Sequence, residues 1–573
     1  MTFSELAAYC KKLESTTSRI TMTEILADVF HRASPDEIGK ICYLLQGRVV
    51  PLYEAVEFGV ADKFMIRAIA QAYNVDQRRV GAEFKKTGDL GKTAEACYRV
   101  LKQGATKSIS VNNVYATLLG LAKESGLGSQ DKKIKILSEL LKSVDSLSAR
   151  YIARIPLDKL RLGFSDMTIL DSISWMVKKD KSFREDLERA YNVHPDIGFI
   201  ASSFKAHGMK GLSQVKARVG APILAALCAR IPTADEMIEK MGTVAVEPKY
   251  DGVRVQIHYQ KTKVSTFSRN LENTTEMFPE LSDVGKELDG DEVILDSEAV
   301  GVDPKTNKLI PFQETMTRKR KYDIASARAN VPLKFFVFDI LYKNGQDLLS
   351  TPLSKRRQIL EDTLRPKKIL ALSPQIVTDD AGELRRFHDE QLKKGLEGAV
   401  VKKWESPYEP GRRNFSWVKF KEEEGKTGKL TDTIDAVIMG YSRGEGKRSG
   451  FGIGMFLVGV RMGEEFVTIT KIGTGVSDEL WKQLHATLHT IKTADKPKEY
   501  KDVNKLFVPD VWVVPKVVVE IAGDDLTRSP THGAGVAVRF PRLVRIRTDK
   551  SPAQATTVEE IRTMFRRQKQ SSV

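Results

Sequence analysis

A lysine beside a tight turn is the residue in this sequence that is best placed to do chemistry. Lys249 lies in the segment EPKYDGVR, residues 247–254, where an Asp-Gly pair leads into the alternating run VRVQIHYQ. A lysine amine becomes nucleophilic when it loses its proton, and desolvation together with a neighbouring cation such as Arg254 favours the neutral form. The segment therefore predicts a lysine that attacks phosphorus. An ordinary hairpin with a solvated lysine is the alternative interpretation.

Charged and aromatic patterns that suit a bound nucleotide follow Lys249 along the chain. They are SRN at 268–270, DSE at 296–298, FVFD at 336–339, LEG at 396–398, WVKFK at 417–421 and RTDK at 547–550. Glu298 and Glu397 offer hard oxygen ligands that can hold Mg²⁺ against phosphates. Phosphoryl transfer depends mainly on positioning and electrostatics, which suits cations around a triphosphate, here Arg254, Arg269, Lys419 and Lys421.

Each pattern also has a plainer interpretation. Phe338 suits a hydrophobic core, and Arg547 could simply pair with an acid. Lys419 and Lys421 could form the solvated face of a strand, since residues i and i+2 point the same way. The two glutamates could be surface charges. The joint occurrence of all the patterns over about 300 residues counts against these plainer interpretations.

The elements that would position these residues fall into three regions. Residues 1 to about 205 have a helical pattern; SPDE at 34–37, for example, reads as an N-cap, a first-turn proline and a capping-box glutamate. A basic, glycine-containing stretch at 205–222 predicts a linker. Beyond it, alternation in VRVQIHYQ predicts a half-buried strand. Further predicted strands are VILDSEAV, KFFVFDILY, GAVVKKW and SWVKFK, with a helix in LSKRRQILEDTL, which indicates an α+β domain.

A charged, glycine-punctuated stretch, KEEEGKTGKLTD, separates a third region of short strands. These are IDAVIMGY, MFLVGVR, EFVTITKIG and VWVVPKVVVEIAG, and they predict a small β-barrel of about 130 residues. The predicted fold is therefore multidomain, with an all-α domain at 1–205, an α+β domain at 206–422 and a β-barrel domain at 423–573.

Composition limits the remaining possibilities. The 573 residues carry a formal net charge of +16, which favours a polyanionic partner such as nucleic acid. The sequence contains neither an apolar run that could span a bilayer nor a secretory signal pattern, so we expect no membrane association. The four cysteines are widely spaced, which excludes a CxxC metal knuckle and indicates free thiols in a reducing compartment. We expect a cytoplasmic, nucleoid-associated monomer.

KYDGVR resembles the nucleophile motif, Lys-x-Asp-Gly-x-Arg, of the covalent nucleotidyltransferases, which include DNA ligases, RNA ligases and mRNA capping enzymes. The downstream patterns resemble the remaining motifs in order, with Ser297 in place of glycine in the usual Asp-Gly-Glu. The resemblance implies that Lys249 takes AMP from ATP onto its side chain and that Glu298 and Glu397 bind Mg²⁺. It also implies nucleotide contacts by Glu247, Arg254, Arg269, Glu298, Phe338, Arg413, Lys419, Lys421, Arg547 and Lys550.

The helical region favours a DNA substrate. RVVPLYEAVEFGVADK at 48–63 and YIARIPLDKLRLGFSDMTILDSISW at 151–175 resemble the DNA-binding domain of archaeal-type ATP-dependent DNA ligases. Such a domain holds a nick through backbone phosphates without reading bases. The third region then resembles the OB-fold of these enzymes, with residues 422–430 as a hinge. The resemblance implies nick sealing in replication, repair and recombination, through lysyl-AMP and a DNA-adenylate.

Two alternatives and one departure remain at this point. An RNA ligase or a capping-type guanylyltransferase shares the catalytic motifs, and a nucleic-acid-binding protein with an inactive nucleotidyltransferase core is the non-enzymatic alternative. Archaeal ligases often carry a sliding-clamp peptide with an aromatic pair just before a helix like VNNVYATLLGLA. The corresponding stretch here, GATKSISVNN, has no aromatic pair, so clamp binding through it is not expected.

Overall fold

The computed structural model describes residues 1–100, 108–303, 305–306, 308–310, 315, 331–365, 368–420, 432–444 and 446–570. The chain divides into two compact units. One consists of Met1–Leu160 and Ser165–Lys421, and the other of Arg161–Phe164 and Glu422–Val573. No helix in the described ranges has both the length and the apolar character needed to cross a bilayer.

The first part of the chain is helical, as predicted. Its helices are α1 (Phe3–Glu14), α2 (Arg19–Arg32), α3 (Pro35–Leu45), α4 (Asp62–Tyr73), α5 (Gln77–Thr87), α6 (Leu90–Val100), α7 (Val111–Lys123), α8 (Ser129–Ser143), α9 (Ser146–Arg154), α10 (Asp166–Lys178), α11 (Arg184–Val193), α12 (Ile197–His207) and α13 (Met209–Ser213). We call residues 1–213 the helical region. The predicted start of α3 is confirmed, because Ser34 and Glu37 form a capping box around its first turn.

The predicted linker at 205–222 is correct only in its second half. Residues up to His207 continue α12, and Met209–Ser213 form the short helix α13 after Gly208. The glycine and the basic residues of this stretch masked its helical pattern in the sequence. The extended connection begins only after residue 213.

The central region, residues 217–420, contains two sheets. Its strands are β1 (Leu227–Arg230), β2 (Val244–Pro248), β3 (Val253–Gln260), β4 (Lys263–Ser268), β5 (Glu292–Gly301), β6 (Leu333–Lys343), β7 (Gln346–Asp347), β8 (Leu370–Leu372), β9 (Ile376–Thr378), β10 (Ala399–Lys403) and β11 (Arg413–Phe420). Its helices are α14 (Ala234–Met241), α15 (Leu353–Thr363) and α16 (Ala381–Lys393). One sheet has the order β1-β11-β10-β2-β9 and the other β4-β3-β5-β6-β7, with β8 beside β6. The five strands and the one helix predicted from sequence for this region are all present.

The residues between β2 and β3 connect the two sheets. Strand β2 pairs with β9 and β10, whereas β3 pairs with β4 and β5. The Asp-Gly turn after Lys249 therefore does not close a hairpin, and the alternative interpretation of this segment is wrong. Lys249 lies where the chain leaves one sheet and enters the other.

The expectation that β3 has one polar, solvated face is wrong. Gln256 and His258 are buried, and their side chains bond to the connection that follows the helical region. The Gln256 amide accepts the Ile223 N–H through its oxygen and donates to Ile223 O through its nitrogen. His258 Nδ1 accepts the Gly220 N–H at 3.0 Å. Burial lowers the pKa of His258 to about 3, so the ring is neutral. The polar residues of β3 thus fasten the connection to the sheet.

The C-terminal unit is built on a curled sheet. Its strands are β12 (Ile434–Ser442), β13 (Met455–Met462), β14 (Glu465–Ile472), β15 (Lys492–Thr493), β16 (Tyr500–Lys501), β17 (Val511–Val513), β18 (Val518–Ala522), β19 (Asp525–Arg528), β20 (Val536–Arg539) and β21 (Arg542–Ile546), with helices α17 (Asp478–Thr490) and α18 (Val558–Gln570). The segment VWVVPKVVVEIAG, predicted as one strand, forms two strands, β17 and β18, because the strand is interrupted around Pro515. A closed barrel is not confirmed: β19 and β20 form a separate hairpin, and the strands paired in the described ranges form a half-barrel.

Candidate active site

Lys249 and Glu397 face each other at the junction of the sheets. The Lys249 N–H donates to Gly398 O at 2.9 Å, and the Glu397 N–H donates to Lys249 O at 3.2 Å. These bonds extend the β2–β10 pairing by one step and bring the two side chains together. Lys249 Nζ lies 2.6 Å from Glu397 Oε2, and both side chains are partly exposed. Two residues that are 148 positions apart in sequence therefore form one ion pair.

A glycine next to Glu397 makes this approach possible. Gly398 has φ +117°, and a Cβ atom there would lie 2.4 Å from Phe420 O. Any side chain would push β11 away from the Glu397 turn. Gly252 has a similar role on the other side of Lys249, because its Cβ would lie 2.5 Å from Ala299 O. The sequence uses glycine where two strands close on the lysine.

Arg254 is held by a buried acid. Its Nε and Nη2 atoms donate to the two oxygens of Asp296 at 3.0 and 2.6 Å, and its Nη1 donates to Ala226 O at 2.8 Å. The Tyr408 hydroxyl donates to Asp296 Oδ2 at 2.8 Å. The sequence indicated Arg254 as a neighbouring cation that would favour a neutral Lys249. Its guanidinium is fixed by Asp296, and the closest partner of Lys249 is the carboxylate of Glu397.

Glu298 lies opposite Arg254 across the β3–β5 pairing. The side chain is half-buried. Burial raises the pKa of Glu298 to about 7, while the charges of Arg254 and Lys249 counteract part of that rise. A carboxylate that is desolvated to this extent gains from a bound cation. Among the described residues no three His, Cys, Asp or Glu side chains converge on one point. A metal here would therefore depend on one or two carboxylates with phosphate and water, as Mg²⁺ commonly does.

Lys402 forms the floor of the site. Both Lys402 and Glu247 are buried, and Lys402 Nζ donates to Glu247 Oε1 at 2.8 Å and to Phe338 O at 3.2 Å. Burial raises the pKa of Glu247, and Lys402 opposes that effect. The ammonium also lies 4.6 Å from the ring centroid of Phe338 and 4.4 Å from that of Trp417. One cation thus connects Glu247 with Phe338, the aromatic residue among the nucleotide contacts that the resemblance implies.

The remaining cations expected in the central region have different positions. Lys419 is half-buried on β11, paired in register with Val400 of β10. Arg269 is exposed in the turn after β4, and Arg413 is exposed at the start of β11. Lys421 lies outside the described residues, as does the expected hinge at 422–430. The stretch compared with a clamp peptide is described only from residue 108 onward.

In the C-terminal unit, Arg547 and Lys550 bind carboxylates. Arg547 donates to both oxygens of Asp549 at 2.9 and 2.7 Å and to Asp435 Oδ1 at 2.9 Å. Lys550 Nζ lies 2.5 Å from Asp435 Oδ2. The hydrogen bond from Arg547 holds the pKa of Asp549 below its ordinary value. The plainer interpretation of Arg547, pairing with an acid, therefore describes its contacts in this structure.

Sequence reasoning missed Lys402, Asp296 and Asp435. A signal for Lys402 existed, because consecutive lysines at the end of a strand must point to opposite faces, so one of them points inward. Asp296 was part of a quoted motif but received no role. Asp435 follows a predicted strand start and resembles any surface acid, so nothing in the sequence indicated its partners.

The arrangement provides a lysine amine, two carboxylates close to it and several cations on the two sheets of the central region. Such a site can accept a phosphorus centre at the lysine and neutralise phosphate oxygens around it. The five-stranded sheet supplies Glu247 and Lys402, and the turn before its strand β10 supplies Glu397, while the other sheet supplies Arg254, Glu298 and Phe338. The junction between the sheets is therefore where a nucleotide would be held.

Comparisons with known proteins agree over the full length. The family models that match are "ATP dependent DNA ligase domain" at residues 222–421, "DNA ligase N terminus" at 2–174 and "ATP dependent DNA ligase C terminal region" at 449–550. A probable DNA ligase of Dictyoglomus turgidum is 43% identical, covering 100% of this chain and 99% of the relative. DNA ligase 2 of Korarchaeum cryptofilum is 38% identical, covering 99% and 98%. The solved structure Pmar-Lig_Pre has a similar fold, with a TM-score of 0.54 at 16% identity, covering 95% and 99%.

Proposed function

Because the chain belongs to the ATP-dependent DNA ligases, we propose that Lys249 is the nucleophile that carries AMP between ATP and DNA. The enzyme seals nicks in duplex DNA and uses ATP and Mg²⁺. The observation that carries the assignment of Lys249 is its position at the sheet junction, with Glu397 Oε2 2.6 Å from its Nζ atom.

Three displacements at phosphorus follow from this position. Lys249 Nζ forms a bond to the α-phosphorus of ATP, and the bond from that phosphorus to the bridging oxygen breaks, so pyrophosphate leaves. A 5′-phosphate oxygen at the nick then attacks the same phosphorus and frees the lysine. Finally the 3′-hydroxyl attacks the 5′-phosphorus, and AMP leaves. Glu397 is the acceptor nearest to the Lys249 ammonium, so it is placed to take the proton that the amine must lose.

The nucleotide base is proposed to lie against Phe338. Its ring is half-buried, and Trp417 packs against it edge-on at 6.0 Å. The Lys402 ammonium donates to Phe338 O, lies over the Phe338 ring and also donates to Glu247. Adenine has an amino donor next to a ring-nitrogen acceptor, which matches a carboxylate next to an ammonium. Guanine has the reverse order, so this pair favours ATP over GTP.

Glu298 and Glu397 are proposed as the Mg²⁺ ligands, and Arg254, Arg269, Arg413, Lys419 and Lys421 as phosphate or ribose contacts. The fit rests on the half-buried Glu298, whose raised pKa reflects a carboxylate lacking full compensation. When bound, the metal would neutralise charge that develops on the phosphate oxygens. We propose that Arg547 and Lys550 exchange their contacts with Asp435 for contacts with the pyrophosphate leaving group.

The flanking regions are proposed to hold the DNA. The domains are assigned to residues 1–205 for the helical DNA-binding domain, 206–422 for the adenylation domain and 423–573 for an OB-fold domain. The curled sheet and its enclosed apolar core support the OB-fold assignment. The net charge of +16 supports binding to a DNA backbone. We propose that the enzyme acts on nucleoid DNA as a monomer.

Mass spectrometry of the purified enzyme after incubation with ATP and, separately, with GTP tests the assignment of Lys249. The wild-type protein should gain one AMP, and Lys249→Ala should gain none and should not seal a nicked duplex. Lys403→Ala is the matched control, because Lys403 is an exposed lysine at the end of β10 that lies away from Lys249. It should keep the label. Labelling of Lys249→Ala equal to that of the control would overturn the proposal, and a GTP-only label would identify a guanylyltransferase.

A further inference from the structure

The turn that carries Arg269 is covered on both flanks by the helical region. Arg269 is exposed, whereas Phe267, two residues before it, and Leu271, two residues after it, are 2% and 8% exposed. The backbone of the turn is also held by hydrogen bonds to Ser268. Ser268 Oγ accepts the N–H groups of Asn270 and Glu272, and the Leu271 N–H donates to Ser268 O at 2.9 Å.

On the first flank, Tyr53 packs against Phe267. Their ring centroids are 6.3 Å apart and the rings meet edge to face at 88°. Tyr53, Ala221 and Phe267 form one small buried apolar cluster, which joins the helical region, the connection and β4. The other side of Phe267 meets His258 of β3 at 4.8 Å. Tyr53 therefore presses Phe267 onto the strand that also carries Arg254.

On the second flank, Leu271 completes a small cavity whose other lining residues all belong to the helical region, among them Leu52, Pro195 and Ile197. Leu271 has φ +66°, a left-handed conformation that leucine rarely adopts. Such a conformation persists only where the surroundings determine it. The helical region and the bonds to Ser268 are those surroundings.

We infer that the helical region, through Tyr53 and the wall facing Leu271, positions Arg269 for the nucleotide before any DNA is bound. The inference rests on the proposed contact between Arg269 and the nucleotide. It adds a second role to a region whose expected role is to hold DNA. Tyr53 is a positioning residue in this scheme, because it touches Phe267 and not the nucleotide.

Self-adenylation without DNA separates this role from DNA holding. Tyr53→Ala should raise the KM for ATP about tenfold with a smaller change in kcat, since a displacement of about 1 Å at a binding group costs up to about a hundredfold. Leu271→Asn should change the KM in the same direction, because asparagine tolerates the left-handed turn but loses the apolar packing. Tyr53→Phe keeps the ring and should restore the KM of the wild type.

Tyr9→Ala is the matched control for loss of a buried tyrosine in the helical region. Tyr9 is 9% exposed and lies on α1, and its hydroxyl donates to Asp28 of α2. It should leave the KM for ATP unchanged. Denaturation midpoints of all variants show whether each one is folded under the assay conditions.

Arg269→Ala distinguishes the two levels of the proposal. If Arg269→Ala leaves the KM unchanged, the proposed contact with the nucleotide is wrong and the inference is wrong with it. If Arg269→Ala raises the KM while Tyr53→Ala and Leu271→Asn do not, only the positioning role is overturned. In support, Tyr53→Ala should add little to Arg269→Ala, because both changes remove the same contact.

Discussion

The acids of the central site and those of the C-terminal unit have pKa shifts of opposite direction. Burial raises the pKa of Glu298 to about 7 and also raises that of Glu247. In the C-terminal unit, hydrogen bonds from Arg547 and Arg545 lower the pKa values of Asp549 and Glu520. The first pair is dominated by desolvation, and the second by cationic partners near water.

The difference separates a site built for a ligand from a cluster that is satisfied without one. Lys402 and Glu247 are 1% and 3% exposed, so each depends on the other for its charge. Asp549 is 61% exposed, and water can replace its partner at little cost. The central site therefore keeps its charges poorly solvated, which strengthens electrostatic contacts with a bound nucleotide. The C-terminal cations can exchange partners more easily.

Removing Lys402 should have the largest effect. Lys402→Met leaves Glu247 buried without its cation, and we expect a loss of about 3 kcal/mol in stability, the usual cost of breaking a buried ion pair. Denaturation by urea measures it. The double variant Lys402→Met with Glu247→Gln should recover most of the loss, because no charge is then left unpaired. A single variant as stable as the wild type would show that water reaches Glu247 and that the contrast between the two regions is wrong.

Glu298→Gln should give a stability change that depends on pH. The folded-state pKa of Glu298 is raised from 4.5 to about 7, so the folded protein binds more protons than the unfolded chain between those values. Wild-type stability therefore falls as pH rises through this window, while glutamine does not titrate. With a chelator present, the gain of Glu298→Gln over the wild type should grow with pH from about 4.5 and approach roughly 3 kcal/mol near pH 7.5.

Glu520→Gln provides the opposite sign in the same measurement. The pKa of Glu520 is lowered, so its contribution is present above the ordinary glutamate pKa and is lost as pH falls through the lowered value. Glu520→Gln should therefore be less stable than the wild type at neutral pH, and the difference should shrink toward low pH. If the stability differences of Glu298→Gln and Glu520→Gln from the wild type changed with pH in the same direction, the proposed contrast between the two regions would be wrong.

Much of the central site was predictable because its chemistry is written in short patterns. The Lys-x-Asp-Gly-x-Arg motif and the glutamates pointed to residues that lie together at the junction of the two sheets, and the strand periodicity predicted β3. The features that depend on a partner far away in sequence were not predicted. The burial of His258 depends on a connection 38 residues upstream, and the fixed state of Arg254 depends on Asp296, 42 residues downstream. Periodicity describes one strand and does not say what covers it.

The same limit applies to the C-terminal unit. Its longer strands β12, β13 and β14 were predicted, as were β17 and β18 as one strand, whereas the short strands β15, β16 and β19–β21 were not. Closure into a barrel depends on pairing between distant strands, which local patterns do not determine. The acid pairing of Arg547 was only one of two interpretations, and Asp435 lies 112 residues before it. Which acid would meet which cation required the folded sheet.

Replacing Asp435 should have the smallest effect and the strongest dependence on salt. Asp435 accepts one hydrogen bond from Arg547 and one from Lys550, close to the surface. Asp435→Asn should lower the denaturation midpoint in low salt, and the difference should nearly vanish at about 1 M salt, where the screening length is about 3 Å. The effect of Lys402→Met should persist in the same salt series, because buried charges are screened much less. If both effects vanished together, the central pair would be as accessible to solvent as the C-terminal cluster.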